Sequence, residues 1–337
     1  MRLWMNIMKL SIISPTAKNK GCILAAVVLL ILLTAASLFV GKYPLSFEKL
    51  LAGDALQWRV FVTLRCSRTV VAVIGGCALG VSGFVYQTVF RNPLASPDMI
   101  GVSSGASAGA ALGILFLPGA AFVTLSAFAG AVAAVTIALG LSALDRSGKQ
   151  QTIVLAGIAV HALAQTVLMI LKLMADPEQE LASIEYWIMG SLSGISVYSI
   201  GGNLILCLGC IGVLLLLHRQ VLLLSAEEGE AKMLGVPVKQ VRIVILLIGT
   251  LTVAAVVSLT GLISFVGLLA PHAARLLNQN NKFGTMLLSG FMGGILLCAA
   301  DILARSAASA ELPVSIFTSL IGAPFLVLLI VRGRRKA

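Results

Sequence analysis

Charge is scarce in this chain. Asp, Glu, Lys and Arg make up only 11% of its 337 residues, against about 25% in an average soluble domain. That shortage excludes a water-soluble globular protein. With 59% hydrophobic residues and a mean hydropathy of +1.04, the sequence is that of an integral membrane protein. Alternating segments of about 10 residues are also missing, which excludes a membrane β-barrel. The apolar runs are long and continuous, so the spans are helices and the fold class is all-α. Aromatics stand at 6% and no basic–aromatic array is present, so the net charge of +11 does not point to nucleic acid. In a membrane protein such charge belongs to loops held in the cytosol.

Chemical motifs are absent as well. There is no GxxxxGK[ST], so the chain cannot hold ATP in a P-loop. HExxH, GxSxG and a Cys/His nucleophile set are missing, which leaves little room for an enzyme. No ladder of Asp and Glu lies in mid-membrane, as an ion-driven transporter often needs; a secondary transporter nevertheless stays open as a reading of another class. Cys207 and Cys210 form a CxxC. It sits within an apolar run without a second ligand pair, so small packing residues are the better reading than zinc or redox chemistry. His161, alone within its span, reads as a packing histidine rather than a ligand or relay.

What is present is a succession of spans. Arg2, Lys9, Lys18 and Lys20 precede the uncharged run Cys22–Val40, which reads as an uncleaved first span with the N-terminus inside. Lys42 to Arg68, with Trp58, reads as a polar connection suited to the opposite interface, and Thr69–Phe90 is the second span. Residues 100–144 carry no charge over 45 positions, too many for one crossing of about 20, and Pro118-Gly119 divides them. Thr152–Leu171, Gly201–Leu217, Ile243–Leu259, a short piece Ser264–Ala270 ending at Pro271, Phe283–Ala300 and Leu312–Val331 follow, with a short helix expected near 186–191. The count reaches ten segments, in a single transmembrane domain over 21–331, with a cytosolic segment 1–20 before it and a basic tail 332–337 after it. With both termini inside, 17 of the 24 Lys and Arg fall on the cytosolic side, as the positive-inside bias requires. The acidic stretch 176–185 falls outside.

Three features stand out. Arg91 to Gly113 reads RNPLASPDMIGVSSGASAGAALG, and its Gly101, Gly105, Gly109 and Gly113 recur every fourth residue. On a helix that spacing predicts one bare face, a seam for close packing with another helix. The polar interruption His218–Arg242 contains Ala226, Glu227, Glu228, Gly229, Glu230, Ala231, Lys232, Met233, Leu234 and Gly235. This stretch fits a solvated loop and a short amphipathic helix gripped by a partner equally well. Asp301 and Arg305, four apart near an outer span end, can pair on one helix face or meet an outer partner.

Several blocks together carry a resemblance: RCSR at 65–68, RNPLASPDMIGVSSGA at 91–106, GEAKMLGV at 229–236, GLISFVGLLAPHAARLL at 261–277, ADILAR at 300–305 and ELPVSIFTSLIGAPFLVLL at 311–329. In this order, from about residue 21 to 335, the chain resembles the FecCD/BtuC-type permeases. These are membrane subunits of binding-protein-dependent ABC importers for iron–siderophores, haem and cobalamin, found in the bacterial cytoplasmic membrane.

The resemblance implies ten transmembrane helices, a second permease subunit, two ABC ATPase subunits and an extracytoplasmic substrate-binding protein. It implies no cofactor on this chain, with ATP and Mg at the partner ATPase, and a metal-chelate cargo. Residues 226–236 match the coupling helix that seats in the ATPase. Arg65, Arg68 and Arg305 match the outer basic positions that receive acidic residues of the binding protein. Ser67 stands where the family has Pro, and Ser315 where it often has Gly.

Overall fold

The structure is a computed structural model that describes residues 17–43, 45–145, 150–195, 197–225, 237–278, 282–308 and 310–334. Stretch 226–236, expected to couple to an ATPase, lies outside the described residues.

The described residues form helices joined by short turns. Helix α1, Ala17–Phe39, matches the first expected span. Residues 42–68, expected as a polar connection, are instead largely helical: α2, Phe47–Leu51, and α3, Ala55–Val60, precede a π-helical turn, Phe61–Cys66, that runs directly into α4, Ser67–Val89. The Asp54 side chain starts α3 by accepting from the backbone N–H groups of Leu56 at 2.9 Å and Gln57 at 3.1 Å, satisfying two of the donors a helix start leaves open. Beyond α4 a 3₁₀ turn, Pro97–Ile100, leads to α5, Val102–Phe116. Pro118-Gly119 then breaks the chain before α6, Ala120–Leu144.

The rest comprises α7, Gln150–Met174; α8, Glu180–Met189; α9, Val197–Leu216; α10, His218–Leu223; α11, Val238–Thr260; α12, Val266–Asn278; α13, Phe283–Ser306; and α14, Val314–Arg334. Among the described residues six helices are long and apolar enough to cross a bilayer, and Val102–Phe116, Ile200–Leu216 and Val314–Leu328 are apolar but shorter. Large apolar side chains stand exposed on α1 and α7, Leu24, Ile31, Leu155 and Leu173 among them. A water-soluble domain does not present so much hydrocarbon.

Helix α4 is the axis, surrounded by α9, α11, α12 and α13. Phe84 and Tyr86 of α4 are fully buried beside Leu246 of α11. Tyr86 keeps its hydroxyl satisfied against Thr250 Oγ1 at 2.7 Å. At two turns α4 meets α13 backbone against backbone. A Cβ at Gly76 would overlap the Gly293 carbonyl, and one at Gly80 the Ser289 carbonyl. The contact with α12 is of the same kind. Pro271, expected to end the short apolar piece, lies inside α12. Proline has no N–H to offer the carbonyl four residues back, and that carbonyl, of Gly267, presses on the α4 backbone at Gly83. Close Cα–H···O contacts of this type recur where helices meet.

The glycine spacing in α5 does its packing against α6. Cβ atoms at Gly105, Gly109 and Gly113 would collide with Gly130 and Ala134, with Ser126, and with Ser126 and Val123 respectively. Gly101 is not part of that face. It precedes the helix in a left-handed conformation (φ 85°), and a Cβ there would lie 3.5 Å from the His161 backbone N on α7. A residue outside the helix does not share its 3.6-residue periodicity, so the fourfold spacing places only three glycines on the seam.

Candidate functional site: an arginine cavity at one end of the bundle

One end of the bundle gathers the C-termini of α1 and α13, the π turn before α4, the loop after α8 and the residues that lead into α14. Arg65, Arg68 and Arg305 meet there. Together with Lys42, Tyr43, Ser193, Glu311 and the apolar Val60, Leu64, Leu192 and Ile195 they line a cavity of about 170 Å³.

Local geometry explains how each arginine arrives. Arg65 lies on the π turn, where the wider coil leaves carbonyls without their usual partners. The Ser67 hydroxyl donates to the Val62 carbonyl at 3.1 Å, so the residue in the proline position restores a bond that a proline would not supply. The Arg65 guanidinium covers Gly41, where a Cβ would overlap it, and donates to the carbonyls of Val40 and, at 3.0 Å, Tyr43. Arg305 reaches the same segment. Its Nη1 donates to Ser37 O at 3.1 Å and Val40 O at 3.2 Å, and its Nη2 to Ser37 Oγ at 2.6 Å. The last carbonyls of a helix have no partner within it and carry its negative pole. The two arginines thus cap α1 from outside its own sequence.

Arg68 is held by carboxylates. Its Nε donates to Asp301 Oδ1 at 2.7 Å and its Nη1 to Glu311 Oε2 at 2.8 Å. Asp301 also pairs through Oδ2 with Arg305 Nη2 at 2.9 Å. The spacing of Asp301 and Arg305 therefore resolves toward pairing on one face of α13. Two guanidiniums, of Arg68 and Arg305, pair with the two carboxylates, while Arg65 bonds backbone carbonyls. Arg68 Nη2 is buried without a hydrogen-bond partner among the described residues.

The two carboxylates differ in setting. The Asp301 side chain is 0% exposed and that of Glu311 34%. A buried ion pair stripped of one partner loses about 3–5 kcal/mol, whereas a solvent-exposed pair contributes about 0–1 kcal/mol. Asp301 is a fixed strut; Glu311 is held loosely.

The expected docking arginines are thus brought together, but they are not free surface charges: Arg65, Arg68 and Arg305 are 5%, 6% and 3% exposed. Glu311, Ser37 and Tyr43 were not singled out by the sequence. Glu311 does open one of the resemblance blocks, ELPVSIF, but 243 positions separate it from Arg68, and spacing carries no signal at that distance. Beside the cavity, Ser315 donates to the Leu262 carbonyl at 2.6 Å and Ser191 N–H to the Thr260 carbonyl at 2.7 Å. These bonds tie the start of α14 and the loop after α8 to the extended link between α11 and α12. In that link Phe265 takes a left-handed backbone (φ 67°) and sets its ring against Gly322 of α14. A bulky residue in that conformation is strained, and the packing on Gly322 holds it there.

The opposite end is basic. Arg91 Nε donates to the Leu224 carbonyl at 3.2 Å, and Arg275 donates to Gln87 and lies 5.1 Å from the centre of the Phe84 ring. Arg219, Lys239 and Lys282 belong to the same end of the chain's helices. Among the described residues no group of three His, Cys, Asp or Glu side chains is placed to hold a metal ion.

Comparison with known proteins gives this arrangement its setting. The FecCD transport family profile matches residues 29–332. The Hemin transport system permease protein HmuU of Yersinia pestis is 37% identical over 324 residues, covering 92% of this chain and 95% of the relative. The Molybdate import system permease protein MolB of Haemophilus influenzae is 33% identical over 327 residues, covering 93% and 96%. Among solved structures, an inward-facing structure assigned to the metal-chelate type of ABC transporter superposes with a TM-score of 0.85 at 31% identity, covering 93% of this chain and 99% of that one. The chain belongs to the FecCD transport family and is a multi-pass permease subunit of an ABC importer, not itself a catalyst.

Proposed function

We propose that this permease carries an iron chelate, a ferric siderophore, across the bacterial cytoplasmic membrane by ATP-driven alternating access. The arginine cavity carries the docking part of this reading. It lies at the end of the bundle away from Arg91, Arg219, Lys239 and Lys282, and the positive-inside bias assigns that basic end, with both chain termini, to the cytosol. The cavity then faces outward, where an acidic side chain of a loaded substrate-binding protein enters it and pairs with Arg65, Arg68 and Arg305. Arginine suits this task because its planar fork fixes a carboxylate's orientation.

In this scheme ten segments cross the membrane in each subunit and two permease subunits, identical or different, enclose the path. Two ATPases bind ATP and Mg; this chain holds no cofactor. Residues 226–236 seat in the ATPase and pass its closure to the spans. The bare seam Gly105–Gly113 against α6 leaves few side chains to obstruct sliding between these helices.

Haem and cobalamin are the second readings of the cargo, supported by a hemin permease and a cobalamin permease that are each 37% identical to this chain. The test is reconstitution of the permease with its ATPases in vesicles, with the binding protein and ATP on the appropriate sides. Iron-55 uptake as ferric siderophore is expected to exceed uptake of haem, of cobalamin and of molybdate and to require ATP. Preference for haem, cobalamin or molybdate replaces the cargo assignment. Uptake driven by an ion gradient without ATPase overturns the coupled mechanism.

A further inference from the structure

The cavity that would receive a partner's carboxylate already contains one. Glu311 Oε2 sits 2.8 Å from Arg68 Nη1, on the residues leading into α14 rather than within a helix, with its side chain 34% exposed. Asp301, on the same guanidinium, is fully buried within α13 and shared with Arg305. Of the two acids, only Glu311 can leave Arg68 without stranding a charge in the interior, because water already reaches it. Its departure would leave Nη1 beside Nη2, which has no hydrogen-bond partner among the described residues. Those two nitrogens are the pair that a carboxylate grips end-on in a two-point contact.

We infer that docking proceeds by carboxylate exchange: Glu311 occupies Arg68 in the undocked permease, and an acidic side chain of the binding protein displaces it. The inference rests on the docking reading above and adds the competitor to it. Glu311 keeps Arg68 paired between encounters and sets a threshold that a partner's carboxylate must exceed. A partner that offers an amide or hydroxyl at this position does not displace a charged occupant. The site therefore selects for an acidic group as well as for fit.

The experiment measures the affinity of the cognate binding protein for the intact permease–ATPase complex in lipid nanodiscs, in a cycle of Glu311→Gln, Arg68→Gln and the double variant. Glu311→Gln is expected to tighten docking by about five-fold or more, because Glu311 is reached by water but Arg68 is buried and the pair exceeds the range of a fully exposed one. Arg68→Gln is expected to weaken it, and Glu311→Gln is expected to have no further effect in that background, because the occupant matters only through Arg68. Equal tightening in both backgrounds means that Glu311 acts as a distant repulsive charge, and overturns exchange. So does unchanged or weaker docking of Glu311→Gln while Arg68→Gln still weakens it; in that case the docking site stands and only its competitor is lost. If Arg68→Gln leaves affinity unchanged, the docking reading itself falls and exchange falls with it. Glu311→Ala serves the same cycle should the Gln variant not assemble.

Discussion

Asp301 is the residue on which the arginine cavity depends. Replacing it with Asn keeps the size of the side chain and removes the charge that Arg68 meets at 2.7 Å and Arg305 at 2.9 Å. Arg68 would keep Glu311 and Arg305 its carbonyls at Ser37 and Val40, so the guanidiniums would not be stripped of every contact. They would, however, lie buried beside each other and beside Arg65 with a single, half-solvated carboxylate between them. Breaking a buried pair from one side costs about 3–5 kcal/mol, and here one acid serves two cations. The change Glu311→Gln should cost less, between about 1 kcal/mol, as for an exposed pair, and about 3–5 kcal/mol, as for a buried one, because water reaches Glu311 but not Arg68. Unfolding in the presence of a denaturing detergent, followed in nanodisc-purified protein, should therefore rank Asp301→Asn far below Glu311→Gln and the parent. A cycle combining Asp301→Asn with Arg305→Gln should show strong coupling, with the double variant less damaged than the two single costs together. If Asp301→Asn and Glu311→Gln are equally mild, the distinction between a fixed strut and a loose occupant is wrong.

Other perturbations test the seams and the coupling stretch. Gly105→Leu places a side chain on the Gly130 carbonyl and the Ala134 methyl. Overpacking of this kind costs about 1–3 kcal/mol, and because the obstruction includes backbone, assembled complex on size exclusion should fall before cargo selectivity changes. Gly76→Leu forces α4 from α13 at Gly293 and should weaken binding-protein docking as well as stability, read by affinity in nanodiscs; docking at parental strength in a destabilised variant would separate seam from cavity. Deletion of residues 227–234 should release or uncouple the ATPase, and co-purification with full ATP-driven uptake would count against coupling through this stretch.

Much of the helical order was legible because length and breakers speak locally. Forty-five uncharged residues cannot be one span, and Pro118-Gly119 separates α5 from α6 where expected. The run from Ala55 to Cys66 reads as connection because Arg59 and Arg65 make it look polar, and it is helical. Yet Asp54 ahead of Gln57 is a start signal that the sequence displays, and the structure uses it. Pro271 shows the opposite error. A proline reads as a stop, but its unpaired carbonyl finds room at Gly83, a residue 188 positions earlier in the chain, so tertiary contact overrides the local rule. The short helix expected near 186–191 forms at Glu180–Met189. Asp176 accepts from the N–H groups of Glu178 and Gln179 just ahead of it, and Gly190, at φ 69°, ends it.

The site was legible as a set of residue types but not as a network, and the reason lies in the seam. Helices α4 and α13 run antiparallel, with Gly80 against Ser289 and Gly76 against Gly293. Each step of four toward the start of α4 is matched by four toward the end of α13. Two further steps bring Arg68 opposite Asp301, and the observed pair is at that position. Arg65, three residues before Arg68 on the π turn, and Arg305, four after Asp301, both turn to the end of α1. The pairing is therefore set by bare glycine contacts several turns away, where no charge is involved. Sequence spacing shows Arg65 near Arg68 and Asp301 near Arg305, since each pair shares a helix. It cannot show that the two pairs face each other, because that depends on which glycine of one helix rests on which backbone of the other. A change in the seam register by one turn would slide Arg68 off Asp301, leaving Arg68 buried without that carboxylate and Asp301 with Arg305 alone. The ion pair and the seam thus constrain each other: the seam brings the charges together, and the cost of parting them fixes the register.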